Sequence, residues 1–162
     1  MLLSVGIDRE ENAEMGVRYM NHYLFNESKK YNRGAETVES NLDKCEHIIF
    51  YETDNGKVPV RDFLMSIPSE ELYKETIENI VKLDSQRRNA TKPLVDYVDD
   101  GIYELRSNTR DGLTRIFYFF IFGDDIVMTN GYIKKTQKMN KDEFKKAKKI
   151  RNEFSRNKMK RG

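Results

Sequence analysis

The stretch that decides the fold is residues 114–122, TRIFYFFIF, in which every residue from Ile116 to Phe122 is aliphatic or aromatic. Such side chains pack well on a pleated surface, so the stretch is predicted to form a strand. Successive side chains of a strand point to opposite faces of the sheet. Both faces of this strand are apolar, and we therefore expect helices to cover it on both sides.

Strand-like segments flank this stretch on both sides, at residues 102–106 (IYELR) and 125–133 (DIVMTNGYI). The pairs Asp111-Gly112 and Gly123-Asp124 separate the three segments. Aspartate and glycine favour the tight turns that join neighbouring strands of a hairpin. The sequence therefore predicts a three-stranded antiparallel meander.

Upstream of the meander, the pattern predicts one strand and two helices. Residues 47–51 (HIIFY) have strand composition, Pro68 ends the first helix, and Ser69 is placed to cap the second, which is expected to reach about Arg88. The apolar stripes of these helices have helical spacing. They comprise Val60, Phe63, Leu64 and Ile67 in the first helix and Tyr73, Ile77, Ile80 and Val81 in the second.

A third helix is predicted to begin at Asn140, with Glu143 as the partner of a capping box. Its apolar side carries Phe144, Ala147, Ile150 and Phe154, and its other side is rich in lysine. These elements together predict an α+β fold. A small, mostly antiparallel sheet packs with two helices on its N-terminal side and a basic C-terminal helix.

Composition excludes several classes of protein. A chain of 162 residues is about one domain long, and it contains no run of about 20 apolar residues of the kind that spans a bilayer. Its first residues lack the pattern of a secretory signal, so we expect a cytoplasmic protein without membrane association. The single cysteine, Cys45, and the two histidines, His22 and His47, predict neither a disulfide nor a zinc site, and no cofactor is expected.

Charge is distributed unevenly along the chain. Residues 1–100 contain 13 Lys and Arg against 20 Asp and Glu, whereas residues 101–162 contain 16 against 7. A basic C-terminal part is typical of a protein that binds a polyanion, although a solvated lysine face gives the same count. The charge pattern alone leaves both interpretations open.

Three motifs in the basic part resemble a known family. YELR (103–106), RIFYFF (115–120) and GYIKKTQK (131–138) occur in the order and at the separations found in the RelE superfamily of bacterial toxins, and they are most similar to its phage-derived HigB-type branch. The upstream stretch FYETDNGKVPVRDFL (50–64) resembles the opening strand and helix of that branch. The resemblance covers about residues 46–155, which we take as the toxin-like domain, followed by a basic tail at 156–162.

The sequence departs from the family pattern in three places. Tyr103 replaces a tryptophan, and Asn130 stands where the family commonly has a histidine, which puts an acid–base role at that position in doubt. Residues 1–45 have no counterpart in the compact toxins. Within them, Tyr19, Met20, Tyr23 and Leu24 suggest one amphipathic helix before a polar linker.

The resemblance implies a toxin of a type II toxin–antitoxin system. Such a toxin is an endoribonuclease that cuts messenger RNA on the ribosome and thereby inhibits translation and growth. The implied partners are the ribosome, messenger RNA and a HigA-like antitoxin with a helix-turn-helix domain, through which alone the toxin would bind DNA.

RNA can be cleaved by its own 2′-hydroxyl without a metal if cations and proton carriers surround the phosphate. Arg106, Arg115, Lys134 and Lys135 flank the ends of the predicted strands, which hairpin connections bring to one edge of the meander. We therefore predict these four residues to be catalytic. Contacts to RNA are predicted for Lys138, Tyr132, Glu104 and Gln137.

Alternative roles are open for several of these residues. Arg115 could cover an edge of the core, Glu104 could form a cross-strand ion pair with Arg106 or Arg115, and Tyr132 could belong to the core instead of stacking on a base. The rival function is a non-catalytic nucleic-acid-binding module, such as a phage regulator, that uses the basic C-terminal helix. It accounts for the charge asymmetry but not for arginines at the ends of the central strands.

Overall fold

A computed structural model describes the backbone of residues 17–19, 41–121 and 123–161, and the side chains of residues 41–121 and 123–157. The predicted helix residues Met20, Tyr23 and Leu24 lie outside these ranges. None of the helices in the described part of the chain is both long and apolar enough to cross a membrane.

Six strands of the described residues form one mixed sheet in the order β1-β2-β6-β5-β4-β3. The strands are β1 (Val17–Tyr19), β2 (Ile48–Tyr51), β3 (Val95–Asp99), β4 (Ile102–Thr109), β5 (Gly112–Ile121) and β6 (Asp125–Lys134). Neighbours pair antiparallel except β2 and β6, which are parallel. The predicted strand and meander are confirmed, and residues 114–121 form most of β5.

Helices α1 (Pro59–Ser66), α2 (Glu70–Gln86) and α3 (Lys141–Arg161) pack on this sheet. The predicted start residues are confirmed, because Oγ of Ser69 accepts a hydrogen bond from Leu72 N–H and Oδ1 of Asn140 accepts from the N–H groups of Asp142 and Glu143. The predicted capping box is wrong, because Asn140 N–H donates to the hydroxyl of Tyr132, and the Glu143 carboxylate accepts instead from Asn130 and Lys146. Such caps satisfy backbone donors that the first turn of a helix leaves unpaired. They fix where α2 and α3 begin.

The sheet is covered on both faces, as the composition of β5 predicts. On one face, Ile116 and Tyr118 join a core that α1 and α2 complete. On the other face, Phe119 packs against Phe154 of α3 and Phe117 packs against Phe144, each with ring centroids 5.6 Å apart. Helix α3 therefore covers the middle of β5.

Three predictions about the chain need correction. Strand β3 was not predicted, although the Asp100-Gly101 turn before β4 was a hairpin signal, with both residues at positive φ. Tyr19, predicted in a helix, ends strand β1, which pairs antiparallel with β2. Most of the predicted basic tail continues α3, which extends to Arg161.

Candidate functional site

Three neighbouring strands align the side chains at the centre of the site. Arg106 of β4 lies opposite Arg115 of β5, and Arg115 lies opposite Tyr132 of β6. The strands were expected to end or begin near the two arginines, but β4 continues to Thr109 and β5 begins at Gly112. The arginines therefore lie within paired strands, where the register fixes their spacing more firmly than a loop could.

All four residues predicted to be catalytic line one cavity of about 430 Å³, which we call the central cavity. It lies where the C-terminal end of β6 and the following segment pass beside β4 and β5. Its lining consists of Arg106, Asn108, Leu113, Arg115, Lys134, Lys135, Thr136 and Gln137. The structure thus brings together cations that are up to 29 positions apart in the sequence.

Arg115 is held by its own strand and by β4. Its side chain is buried, and Nη1 donates to Oδ1 of Asn108 at 3.0 Å and to the carbonyl oxygen of Thr114 at 2.7 Å. Burial, and then the neighbouring charge of Arg106, lower the pKa of Arg115, while Glu104 opposes that shift. The guanidinium is consequently fixed in direction and poorly hydrated, so an anion near it gains more than it would from an exposed arginine.

Glu104 lies between the two arginines. Its Oε1 is 3.8 Å from Nε of Arg106 and 3.9 Å from Nε of Arg115, and its side chain is only 10% exposed. A carboxylate in this place offsets the repulsion between two adjacent guanidinium groups. This geometry matches the ion-pair alternative, and an RNA phosphate has little access to the buried carboxylate.

The lysines and Gln137 form the open side of the site. Lys134 is the last residue of β6, and Lys135, Gln137 and Lys138 are exposed in the segment that follows. Lys138 lines a second cavity of about 490 Å³ together with Phe63, Tyr132 and both of the other lysines. The second cavity adjoins the central one, since Lys134 and Lys135 line both.

Tyr132 belongs to the core. It is 7% exposed, its ring lies 5.8 Å from that of Phe117, and its hydroxyl oxygen accepts a hydrogen bond from Asn140 N–H. Burial is the main cause of the raised pKa of this phenol. With the ring packed and the hydroxyl engaged, Tyr132 supports the start of α3, which was the alternative to base stacking.

Asn130 connects β6 to α3. Its Nδ2 donates to the backbone oxygen and to Oε2 of Glu143, both at 2.9 Å, and its Oδ1 accepts from the hydroxyl of Thr129 at 2.7 Å. The register of β5 and β6 shifts between Ile116 and Tyr118, next to this position. Asn130 does not line the central cavity. Its amide therefore has a structural role at the position where the family commonly has a histidine.

Gly131 is required by close packing. An added Cβ would lie 2.5 Å from Cδ2 of Phe63 and 3.1 Å from the carbonyl oxygen of Arg115. Glycine is the residue that allows α1 to approach β6 this closely, as expected for a glycine within a strand.

Asn108 is the site residue that sequence reasoning missed. It accepts the hydrogen bond that orients Arg115, and it lines the central cavity. The sequence did indicate that Asn108 belongs to the site. It lies two residues after Arg106 in the same strand, and side chains two residues apart in a strand point to the same face.

His47 makes a hydrogen bond outside the cavity. Its Nδ1 lies 3.0 Å from Oδ1 of the buried Asp125, and its Nε2 lies 3.4 Å from Nη1 of Arg87. The described side chains include no group of three or more His, Cys, Asp or Glu residues that could hold a metal ion.

Comparison with known proteins gives one family. Residues 62–152 match the family model described as phage derived protein Gp49-like (DUF891). The matched range contains the last five residues of α1, all of α2, the strands from β3 to β6 and the first twelve residues of α3, and it includes every residue of the central cavity. No curated protein shows a significant match to the chain.

Proposed function

Because this chain belongs to the family of Gp49-like phage-derived proteins, a family associated with RelE-like toxins of toxin–antitoxin systems, we propose that it is an endoribonuclease toxin of such a system. We assign it to the HigB-type branch on the YELR, RIFYFF and GYIKKTQK motifs. Its substrate in this proposal is messenger RNA on the ribosome.

The observation that carries the proposal is the convergence of Arg106, Arg115, Lys134 and Lys135 on one cavity. Cleavage of RNA by its 2′-hydroxyl passes through a pentavalent phosphorane, whose negative charge grows as the bond forms. Fixed cations stabilise that charge without having to reorganise during the reaction. A buried arginine held by Asn108 meets this requirement better than a lysine on a flexible stem.

In the proposed reaction, the 2′-oxygen attacks the adjacent phosphorus, and the bond from phosphorus to the 5′-oxygen breaks. Arg106 and Arg115 bind the phosphate oxygens. An ammonium group of Lys134 or Lys135 protonates the leaving 5′-oxygen, while the proton of the 2′-hydroxyl passes to water. The products carry a 2′,3′-cyclic phosphate and a 5′-hydroxyl, and no metal takes part in the chemical step.

Basic surfaces next to the cavity support binding to large anionic partners. The exposed lysines of α3 give that helix a diffuse affinity for ribosomal RNA; these are Lys141, Lys145, Lys146 and Lys149. An antitoxin is the partner that such a system implies, and a helix-turn-helix protein of the HigA type is our assignment. We place its acidic surface on the edge formed by Lys134, Lys135 and Lys138, where charge complementarity speeds association.

Identification of the product ends tests the proposal. The full-length protein is incubated with ribosomes carrying a defined messenger RNA, and the fragments are analysed for their terminal groups. Because ribosomes need magnesium, the identity of the ends separates the mechanisms better than removal of metal does. We expect a 2′,3′-cyclic phosphate and a 5′-hydroxyl, whereas a 5′-phosphate product would contradict the mechanism.

The same experiment separates an enzyme from a binding module. A non-catalytic regulator would bind RNA or DNA and leave the messenger RNA intact. Induced expression without a partner should also stop growth if the protein is a toxin. Intact messenger RNA together with normal growth would refute the proposed function.

A further inference from the structure

We propose that a third cavity, between α2 and β4, is a binding subsite for a nucleotide that flanks the cleaved phosphate, and that Asn79 contacts its base. The cavity has a volume of about 540 Å³, and we call it the flanking cavity. The inference rests on the proposed function, because it concerns the same RNA strand.

The flanking cavity is continuous with the central cavity. Arg106 and Asn108 line both cavities, so a strand bound at the central cavity can continue directly into the flanking one. The paired register of β3 and β4 begins at Val95 and Leu105, beyond which β4 has no strand neighbour on that side up to Thr109. At Arg106 the backbone of this edge is engaged, since its N–H donates to the carbonyl oxygen of Leu94 and its carbonyl oxygen accepts from Nδ2 of Asn79. The edge is therefore without a strand partner only beyond Arg106.

The side-chain amide of Asn79 is held in one orientation beside the flanking cavity. Its side chain lines the flanking cavity although the residue is only 5% exposed. Nδ2 donates to the carbonyl oxygen of Arg106 at 3.2 Å and to Oγ of Ser107 at 2.9 Å. A carbonyl oxygen can only accept a hydrogen bond, so these contacts establish which end of the amide is nitrogen.

This arrangement leaves the oxygen of the amide unused. Within the described residues, Oδ1 of Asn79 accepts no hydrogen bond, while the amide plane is fixed from the other end. The oxygen is not sealed from solvent, so it can accept a hydrogen bond from a bound group without a rearrangement of the protein. A ring or exocyclic N–H of a nucleobase is a donor of suitable shape, and hydrogen bonds to base edges distinguish one base from another.

The remaining lining favours RNA over a protein segment. Lys82, Lys92 and Arg106 contribute positive charge against the single carboxylate of Glu75. Lys92 is 71% exposed and lies 3.6 Å from Asp96, while Lys82 is exposed on α2. Aromatic anchors of the kind that dominate protein interfaces do not occur among the residues that line this cavity. A polar cavity with net positive charge suits a nucleotide better.

The experiment measures which bases flank the cut. Wild-type protein cleaves ribosome-bound messenger RNAs with randomised nucleotides around the A site, and the fragment ends are sequenced. We expect a base preference at one flanking position, which Asn79→Ala reduces at least about fivefold, the size of one lost base contact. Circular dichroism and a thermal melt establish that the variant is folded.

A second pair of variants leaves the buried side-chain amide of Asn79 unchanged. Gln86 is exposed at the end of α2 and lines the flanking cavity, so Gln86→Trp narrows it without removing a buried hydrogen bond. Ser85→Trp adds the same ring at the adjacent exposed position, which does not line the cavity. We expect Gln86→Trp to lower the cleavage rate about tenfold or to change the base preference, and Ser85→Trp to resemble the wild type.

Three outcomes would refute the inference that the flanking cavity binds RNA. If the wild type cuts but Asn79→Ala and Gln86→Trp both retain its rate and base preference, the flanking cavity is not an RNA subsite. If these variants change only the affinity for the antitoxin, the cavity binds protein and the inference is wrong. If the wild type cuts no RNA, the proposed function fails, and the inference fails with it.

Discussion

Arg106 and Arg115 share one buried carboxylate, since Oε1 of Glu104 lies 3.8 Å from Nε of the first and 3.9 Å from Nε of the second. Neither of these Nε atoms makes a hydrogen bond within the described residues. Three charges in contact leave one net positive charge, which a phosphate can neutralise. Glu104 therefore keeps the two arginines close together in the unbound protein.

Lys135 gives the cleanest test of the catalytic cations, because it is exposed whereas Arg115 is buried. We expect Lys135→Ala to slow cleavage about 100-fold, the size of a lost transition-state contact. The free energy of unfolding should change by less than about 0.5 kcal/mol. Lys44→Ala, at an exposed lysine before β2 that lines none of the named cavities, is the control, and equal cleavage rates for the two variants would remove Lys135 from the mechanism.

Glu104→Gln tests the shared carboxylate. The variant leaves two neighbouring guanidinium groups uncompensated, and we expect the free energy of unfolding in urea to fall by about 2 kcal/mol. Glu71→Gln is the control, because its partner Arg110 is 86% exposed at 3.6 Å. An exposed pair contributes about 0.5 kcal/mol. Equal effects for both variants would show that Glu104 does not hold the arginines.

Asn130→Ala removes the two hydrogen bonds that Nδ2 donates to Glu143. We expect a loss of about 1–3 kcal/mol in the free energy of unfolding, because a buried connection between β6 and α3 is lost. Cleavage by the folded variant should remain close to the wild-type rate, since Asn130 does not line the central cavity. A folded but inactive variant would show that the amide takes part in catalysis. Asn152→Ala, exposed on α3, is the stability control.

Gly131→Ala tests the close approach of α1 to β6. The new methyl group meets the ring of Phe63, and we expect a destabilisation of about 1–3 kcal/mol. Phe63→Leu provides space, so the alanine should cost less in that background. Urea unfolding of the two single variants and the double variant gives the coupling free energy. Zero coupling would mean that the backbone of Arg115, and not the ring, is what excludes a side chain.

Stability at alkaline pH should depend on Cys45. Burial, and then the charge of Asp84, raise the pKa of this thiol to about 12 from 9.0. Between these values the unfolded chain releases the proton and the folded chain retains it, so stability falls as pH rises. The urea midpoint of the wild type should therefore drop more steeply between about pH 9 and 10.5 than that of Cys45→Ala. If the urea midpoints of the two proteins fall equally with pH, the pKa of Cys45 is not raised by folding.

Local pattern alone determined most of the elements. The alternation in β5, the turns at Asp111-Gly112 and Gly123-Asp124, and the caps at Ser69 and Asn140 follow from interactions between residues close in sequence. Such signals depend on backbone preference and short-range hydrogen bonds. They can therefore be recognised in the sequence without knowing which elements pack against each other. The sequence also indicated the cations of the site, because their positions relative to the predicted strands suggested that they lie at one edge of the sheet.

Tertiary structure decided what those residues do. Glu104 is buried between two arginines, Tyr132 is packed against Phe117, and Asn130 binds α3. Each role depends on a partner from a different strand or helix, whose register and distance are set by packing across the whole sheet. The flanking cavity likewise exists because β3 pairs with only part of β4 while α2 crosses nearby. Side-chain burial and the shape of a cavity are properties of the assembled elements, which is why the sequence predicted the strands and the charges but only the fold decided their roles.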